Sequence, residues 1–216
     1  MKLMPQIYKI MNPFFKEHGF TKKRGTYFKF SNNIAFCISF QKPSDLVYVP
    51  FCLVPLYRPS TNLYLTYGDR IGNRYPDRLP QLTGEANEES IITWCKLLQT
   101  ILIDEIFPFF EEVATPEKLL NYIERDPGKA LKYLFCGPYH FAVLYMYTSL
   151  YLHKYDTFSE AASLCRQVLE NYPFTAEGKK CEYEEIAQLE QLSTCGDDSV
   201  DAFFQQTILN TIAVCF

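Results

Sequence analysis

The side chains in this sequence that could do chemistry are few and scattered. Its three histidines, His18, His140 and His153, fall in different segments, and none has a second histidine or a cysteine pair at metal-ligand spacing. That argues against a zinc site. In "CGPYH", Cys136 stands four residues before His140, a spacing that would set a thiolate beside a base. The Gly137-Pro138 step between them leaves the geometry open, and a buried cysteine where a helix starts is the simpler reading. The neighbouring carboxylates Glu111-Glu112 and Glu184-Glu185 sit on helical stretches. Adjacent helical residues point in different directions, so these read as solvated faces rather than acid–base couples. Phosphate-loop, dinucleotide, nucleophile-elbow and zinc-protease patterns are absent from the sequence. No catalytic residue, metal ligand or cofactor is assigned.

The basic residues offer more. Lys22, Lys23 and Arg24 cluster where an aromatic hairpin begins, and Arg70, Arg74 and Arg78 punctuate a loop at 68–90. If that loop folds back over the sheet, their N–H groups would fork onto a phosphate or carboxylate. These six form the candidate anion site. The competing reading is a solvated turn and a solvated loop.

The hairpin lies in "GTYFKFSNNIAFCISFQK", residues 25–42, where apolar and polar residues alternate on both sides of Asn32-Asn33. A two-residue loop would pair Ser31 with Ile34 and set the two apolar rows on opposite faces. A three-residue loop, Ser31-Asn32-Asn33, pairs Phe30 with Ile34 and unites them. A one-residue slip turns every side chain over, so burial favours the second. The expectation is a core face of Phe28, Phe30, Ile34, Phe36 and Ile38, with Asn33 left-handed. Tyr27, Lys29, Ala35, Cys37, Ser39 and Gln41 then form the other face.

Upstream, residues 5–18 show the helical period with Ile7, Ile10, Met11, Phe14 and Phe15 inward, Pro13 as a kink or break, and Gly19 as the stop. Downstream, 46–57 is apolar on both parities, as in a strand covered on both faces, and Pro50 and Pro55 place it at an edge or a bulge. "NLYLTY", 62–67, gives a fourth strand. A long helix starts near Asn87 with Ile91, Cys95, Leu98, Leu102, Ile106, Phe109 and Val113 on one stripe and a kink at Pro108. Thr115-Pro116 opens a short helix that ends at "DPGK", 126–129. Helices at 138–154, 158–172, 181–194 and 198–214 follow, the first central and the last with its apolar end "IAVCF" docked. The fold class is therefore α+β: a four-stranded antiparallel sheet backed by helices in 1–114, then an all-helical region at 115–216 that can pack on the first part as one unit.

An apolar fraction of 48% with 21% charged residues suits a soluble globular chain. The eight cysteines form no C-x-x-C pair and several sit in apolar runs, so they read as small buried hydrophobes of a reducing compartment. The start of the chain lacks a secretory pattern, and no window reaches a membrane span. The expected location is cytoplasmic. The net charge of −4 hides a division: residues 1–80 hold 12 Lys or Arg against 4 Asp or Glu, and residues 81–216 hold 9 against 21. Either the two halves dock on each other or each half meets a partner of opposite charge.

The succession "FFKEHGFTKKRGTYFKFSNNIAFCISFQKPS", an apolar strand, "YGDRIG" and the Trp helix "ITWCKLLQTILIDEIFPFFEEV" resembles the bacterial domain-of-unknown-function family 4304. The resemblance covers residues 5–114 and implies an α+β bacterial intracellular domain, with no activity attached. Residues 142–173 look like one tetratricopeptide helical hairpin, but the next copy fails at Cys195 and Thr207. A lone repeat cannot bury its own face, so ordinary αα-hairpin packing is the reading.

Three functions compete. The first is a non-enzymatic interaction module whose acidic helical half binds a basic protein partner. Its sharpest form is an immunity protein against a nuclease toxin, since an acidic surface imitates a phosphate backbone and associates fast. The second is an anion-ligand or nucleic-acid module on the basic lobe, which requires Lys22–Arg24 and Arg70–Arg78 to converge; net acidity argues against a dedicated nucleic-acid binder. The third is an enzyme of unrecognised class, which requires a pocket holding a His or Cys of perturbed pKa.

Overall fold

The computed structural model describes residues 3–60, 67–134 and 136–216. Helix α1, Leu3–Glu17, buries Leu3, Ile7, Met11, Phe14 and Phe15 and runs through Pro13, which stands on the exposed side, while Ile10 is only half-buried. It stops at Gly19, where φ is 81°. There the Phe20 N–H donates to the Phe15 carbonyl at 2.9 Å and the Gly19 N–H to Lys16 at 3.1 Å. The Phe20 ring then closes edge-on against Phe15, the apolar contact that accompanies such a stop.

Among the described residues five antiparallel strands follow in the order β1-β2-β3-β4-β5: β1 Thr21–Lys23, β2 Thr26–Ser31, β3 Ile34–Ser39, β4 Pro50–Pro55 and β5 Tyr67–Arg70. The class is α+β as expected, with five strands rather than four. The extra strand, β1, contains Lys22 and Lys23, which the sequence pattern placed in a turn. Residues 62–66 of the expected fourth strand lie outside the described residues, and Tyr67 opens β5.

The hairpin register departs from expectation. Its loop is the two residues Asn32-Asn33, with φ of 42° and 65°, and Ser31 pairs with Ile34. Two left-handed residues in such a loop match the twist of the strands. Tyr27 therefore joins Ile34, Phe36 and Ile38 in the main core, while Phe28 and Phe30 turn to the other face. The expectation assumed one buried face, and here both are covered. The main face packs against α1 and the helices after the sheet, with Phe15 stacked on Tyr27 at 4.1 Å. The second face, Phe28, Ala35, Cys37, Cys52, Val54 and Leu56, lies under Ile208 and Phe216 from the end of the chain. Phe216 sits edge-on 4.9 Å from Phe28 and 4.9 Å from Phe30, so the apolar end is docked as expected. Strand β4 is interior, paired with β3 and β5, and buried throughout. Its two prolines occupy the ends of the strand, where a missing donor disturbs the ladder least.

After the short helix α2, Ile71–Arg74, helix α3, Glu88–Ile101, starts at Asn87, whose side chain accepts the Ser90 N–H at 2.9 Å. The expected long stripe is interrupted. Leu102–Ile106 is π-helical and α4, Phe107–Glu112, follows. The wide turn absorbs a residue just before Pro108, which cannot donate, and Phe110 is buried in place of Phe109. Thr115 caps α5, Pro116–Arg125, and Asp126 caps α6, Pro127–Leu134, so "DPGK" begins a helix. Helix α7, Pro138–Tyr151, is buried nearly all round. It is followed by α8 Tyr155–Asn171, α9 Ala176–Ser193 and α10 Asp197–Cys215. Helix α9 begins ahead of the expected residue 181 because Thr175 accepts the Gly178 N–H at 3.1 Å. One apolar cluster extends from Leu3 in α1 to Phe204 in α10, so residues of both halves share it. Among the described residues no helix is long and apolar enough to cross a membrane.

Candidate functional site

The six basic residues do not converge. Lys22 and Lys23 lie on β1 and Arg24 in the turn after it, whereas Arg70 ends β5. These are the two outer strands of the sheet, roughly 19 Å apart at about 4.8 Å per strand step. Lys22 Nζ sits 3.4 Å from the centre of the Tyr8 ring and 3.1 Å from Asn12 Oδ1. Lys23 donates to the main-chain oxygen of Phe216, and Arg24 takes φ 50° next to Gly25. Arg70 lies 4.5 Å from the Tyr48 ring centre, in a cavity of about 210 Å³ that Trp94 also lines. Arg74 lies over Phe51 and lines a separate cavity of about 190 Å³ with Asp104 and Glu105. Arg78 donates to Glu105 at 2.5 Å and to Asp104 at 3.2 Å.

Cys136 and His140 do not form a nucleophile pair. Burial pushes the Cys136 thiol up to about 12. Burial, helped by Arg58, pulls the His140 imidazole down, and its Nδ1 is buried with no hydrogen-bond partner among the described residues. A thiol held protonated by burial lacks the thiolate that the chemistry needs. His18 donates through Nδ1–H to the Phe14 carbonyl oxygen at 2.8 Å, and His153 lies near the surface against Asp197 and Asp201. Among the described residues no group of His, Cys, Asp or Glu is arranged to hold a metal ion.

The residue that sequence reading overlooked is Arg58. The apolar run of β4 continues through Leu56 and Tyr57, both buried, and the chain then turns, the Arg58 N–H donating to the Pro55 carbonyl at 3.2 Å. Its carbonyl accepts the Thr211 hydroxyl of α10 at 3.2 Å, and Nη1 donates to the Tyr67 hydroxyl at 2.7 Å. Nε is sealed from solvent and has no acceptor among the described residues. Burial works against the charge, but Tyr67 and Glu185 favour it, and the balance lies above the ordinary arginine pKa. The guanidinium is a fixed interior cation.

Arg58 and Pro59 form one wall of a cleft of about 520 Å³. Helix α7 contributes Tyr147, and α9 contributes Glu185, Gln188, Leu189, Gln191 and Leu192; Cys195 and Phe203 complete the lining. The Tyr147 hydroxyl donates to Glu185 Oε1 at 2.5 Å. Burial first, and then the carboxylate, raise the Tyr147 phenol far above its usual range, so it remains a donor that pins Glu185. Tyr139 holds Glu182 in the same way, which ties α7 to α9. Arg58 is thus engaged by Tyr67 and Glu185 by Tyr147, and one small volume contains a cation, an anion, two amides and an apolar wall. Size and lining are those of a small-molecule site. The signal for Arg58 was present in "LVPLYRPS": a charge abutting a doubly buried strand can only run between layers, keeping its head at whatever polar space they leave.

Comparison of the chain with family models, curated proteins and solved structures finds no match.

Proposed function

We propose that this α+β protein is a binding module that holds a small organic anion in the cleft between its sheet and outer helices, anchored by Arg58. The supporting observation is Arg58 itself, a guanidinium held by the Tyr67 hydroxyl at 2.7 Å, its charge favoured by Tyr67 and Glu185, at the wall of a ligand-sized cleft. A carboxylate laid against the guanidinium would supply charge-assisted acceptors, a bond to a charged group being worth about 1.5–3 kcal/mol. Two exposed thiols make the test internal: Cys195 lines the cleft, and Cys181 does not. At least one member of a panel of small organic anions should slow alkylation of Cys195 while leaving Cys181 unchanged. Arg58→Met should weaken that compound about 10- to 100-fold, the loss of one or two bonds to a charged group. If no compound in the panel protects Cys195, the reading fails.

A second reading has separate support. Residues 155–215 carry eleven carboxylates against three Lys or Arg, and Asp156, Glu160, Glu170, Glu177 and Asp198 are exposed. Among the described residues, Lys29 pairs with Glu111 and Arg78 with Asp104 and Glu105, and these ion pairs of the basic half with the acidic one end near α3 and α4 rather than at the outer helices. In this reading α8–α10 receive a basic protein partner, an immunity-type role being one form. A stoichiometric nuclease-resistant partner should then associate about tenfold or more slowly at physiological salt than at low salt. A salt-insensitive complex would contradict it.

A further inference from the structure

Resting on the cleft reading above, we infer that its ligand is a small zwitterion of the α-amino-acid type, with its carboxylate on Arg58, its ammonium on Glu185 and an apolar side chain on Leu192 and Phe203. The two charges come from different layers of the fold. Arg58 leaves the end of β4 and is held by Tyr67 at 2.7 Å, and Glu185 comes from α9 and is held by Tyr147 at 2.5 Å. Both line the same 520 Å³ cleft, and each is fixed by a phenol rather than by the other charge. Tyr147 engages Oε1 of Glu185, and among the described residues no hydrogen bond is made to Oε2, which is then the acceptor for an incoming cation.

The alternatives are electrostatically worse. A plain anion drawn to Arg58 meets the Glu185 carboxylate, and a dianion such as inorganic phosphate meets it twice over. A plain cation drawn to Glu185 meets the guanidinium. A neutral apolar ligand strips water from both charges and returns no hydrogen bonds, the costly case for buried ions. A molecule with both charges a few bonds apart answers both, and the apolar surface of Leu192 and Phe203 remains for its side chain.

The test uses the full chain and three probes: L-phenylalanine, phenylpropanoate, which lacks the ammonium, and phenethylamine, which lacks the carboxylate. Phenylalanine should bind by calorimetry and protect Cys195, with an affinity about tenfold or more above either half-analogue, the scale of one bond to a charged group. Glu185→Gln keeps an oxygen acceptor for Tyr147, so the α7–α9 tie survives. It should bring phenylalanine down to the level of phenylpropanoate while phenylpropanoate binds no worse. If phenylpropanoate matches phenylalanine on the unaltered chain, or if Glu185→Gln leaves the preference intact, the zwitterion inference is overturned and the anion cleft stands. If phenylalanine fails to protect Cys195, the inference is overturned, and the anion panel decides whether the cleft reading falls with it.

Discussion

Truncating Phe36 to alanine should cost about 3–5 kcal/mol, whereas truncating Phe30 should cost less than about 1 kcal/mol. Phe36 is 2% exposed and stacks on Phe110 of α4 with ring centres 4.4 Å apart and planes 20° apart. Removing it would open a cavity between the sheet and the helix layer, and the interior around it is too well held to collapse fully. Phe30 is 51% exposed and touches Phe216 at the edge of the second face. A three-residue hairpin loop would have put both rings in one core and made their truncations comparably severe. The pair therefore measures the register. Urea unfolding of the two variants, read as shifts in midpoint at unchanged slope, should separate them clearly. Equal losses would mean that Phe28 and Phe30 face the main core after all.

What the sequence made legible was local. Gly19, Asn87 and Thr115 end or start helices through bonds to their own neighbours, within three to five residues, and all three do so here. The hairpin register was not local. It depends on what covers the second face, and that cover is Ile208 and Phe216, more than 170 residues away from Phe28 along the chain. Strand β1 was obscured because Thr21, Lys22 and Lys23 are exposed, so no apolar alternation marked them. The site was half legible for a related reason. Clustered charges attract notice, but like charges close in sequence repel and stay in water, which selects for solvated residues. Arg58, alone at the end of a buried strand, is a cation that the fold holds partly inside. The carboxylate pair Glu184-Glu185 was read as a solvated face because neighbours on a helix diverge. The same divergence sends Glu184 outward, where it is exposed, and Glu185 into the cleft.

One added methyl group at Gly68 should damage both the fold and the site. A Cβ there would stand 1.9 Å from the Phe51 carbonyl oxygen, 2.6 Å from Cys52 Cα and 2.7 Å from Cys52 Cβ. These are atoms of β4, which cannot step aside because Phe51 and Cys52 are already paired with Ile38 and Cys37 of β3. Strand β5 must lift instead, and overpacking of this kind costs about 3 kcal/mol, or roughly 6–12 °C in Tm for a chain of this size. The lift also moves Tyr67, the adjacent residue, whose hydroxyl takes the Arg58 N–H. Gly68→Ala should therefore lower thermal stability and, at temperatures where the variant is still folded, weaken anion protection of Cys195 about tenfold, the effect of one disturbed bond to a charged group. Gly72→Ala is the matched control. Among the described residues nothing lies within 4 Å of the added methyl there, the position is helical, and the change should be neutral or stabilising by up to about 1 kcal/mol. A Gly68→Ala variant as stable as its parent would mean that β5 does not approach β4 this closely. A variant that is destabilised yet binds anion unchanged would mean that Tyr67 does not orient Arg58.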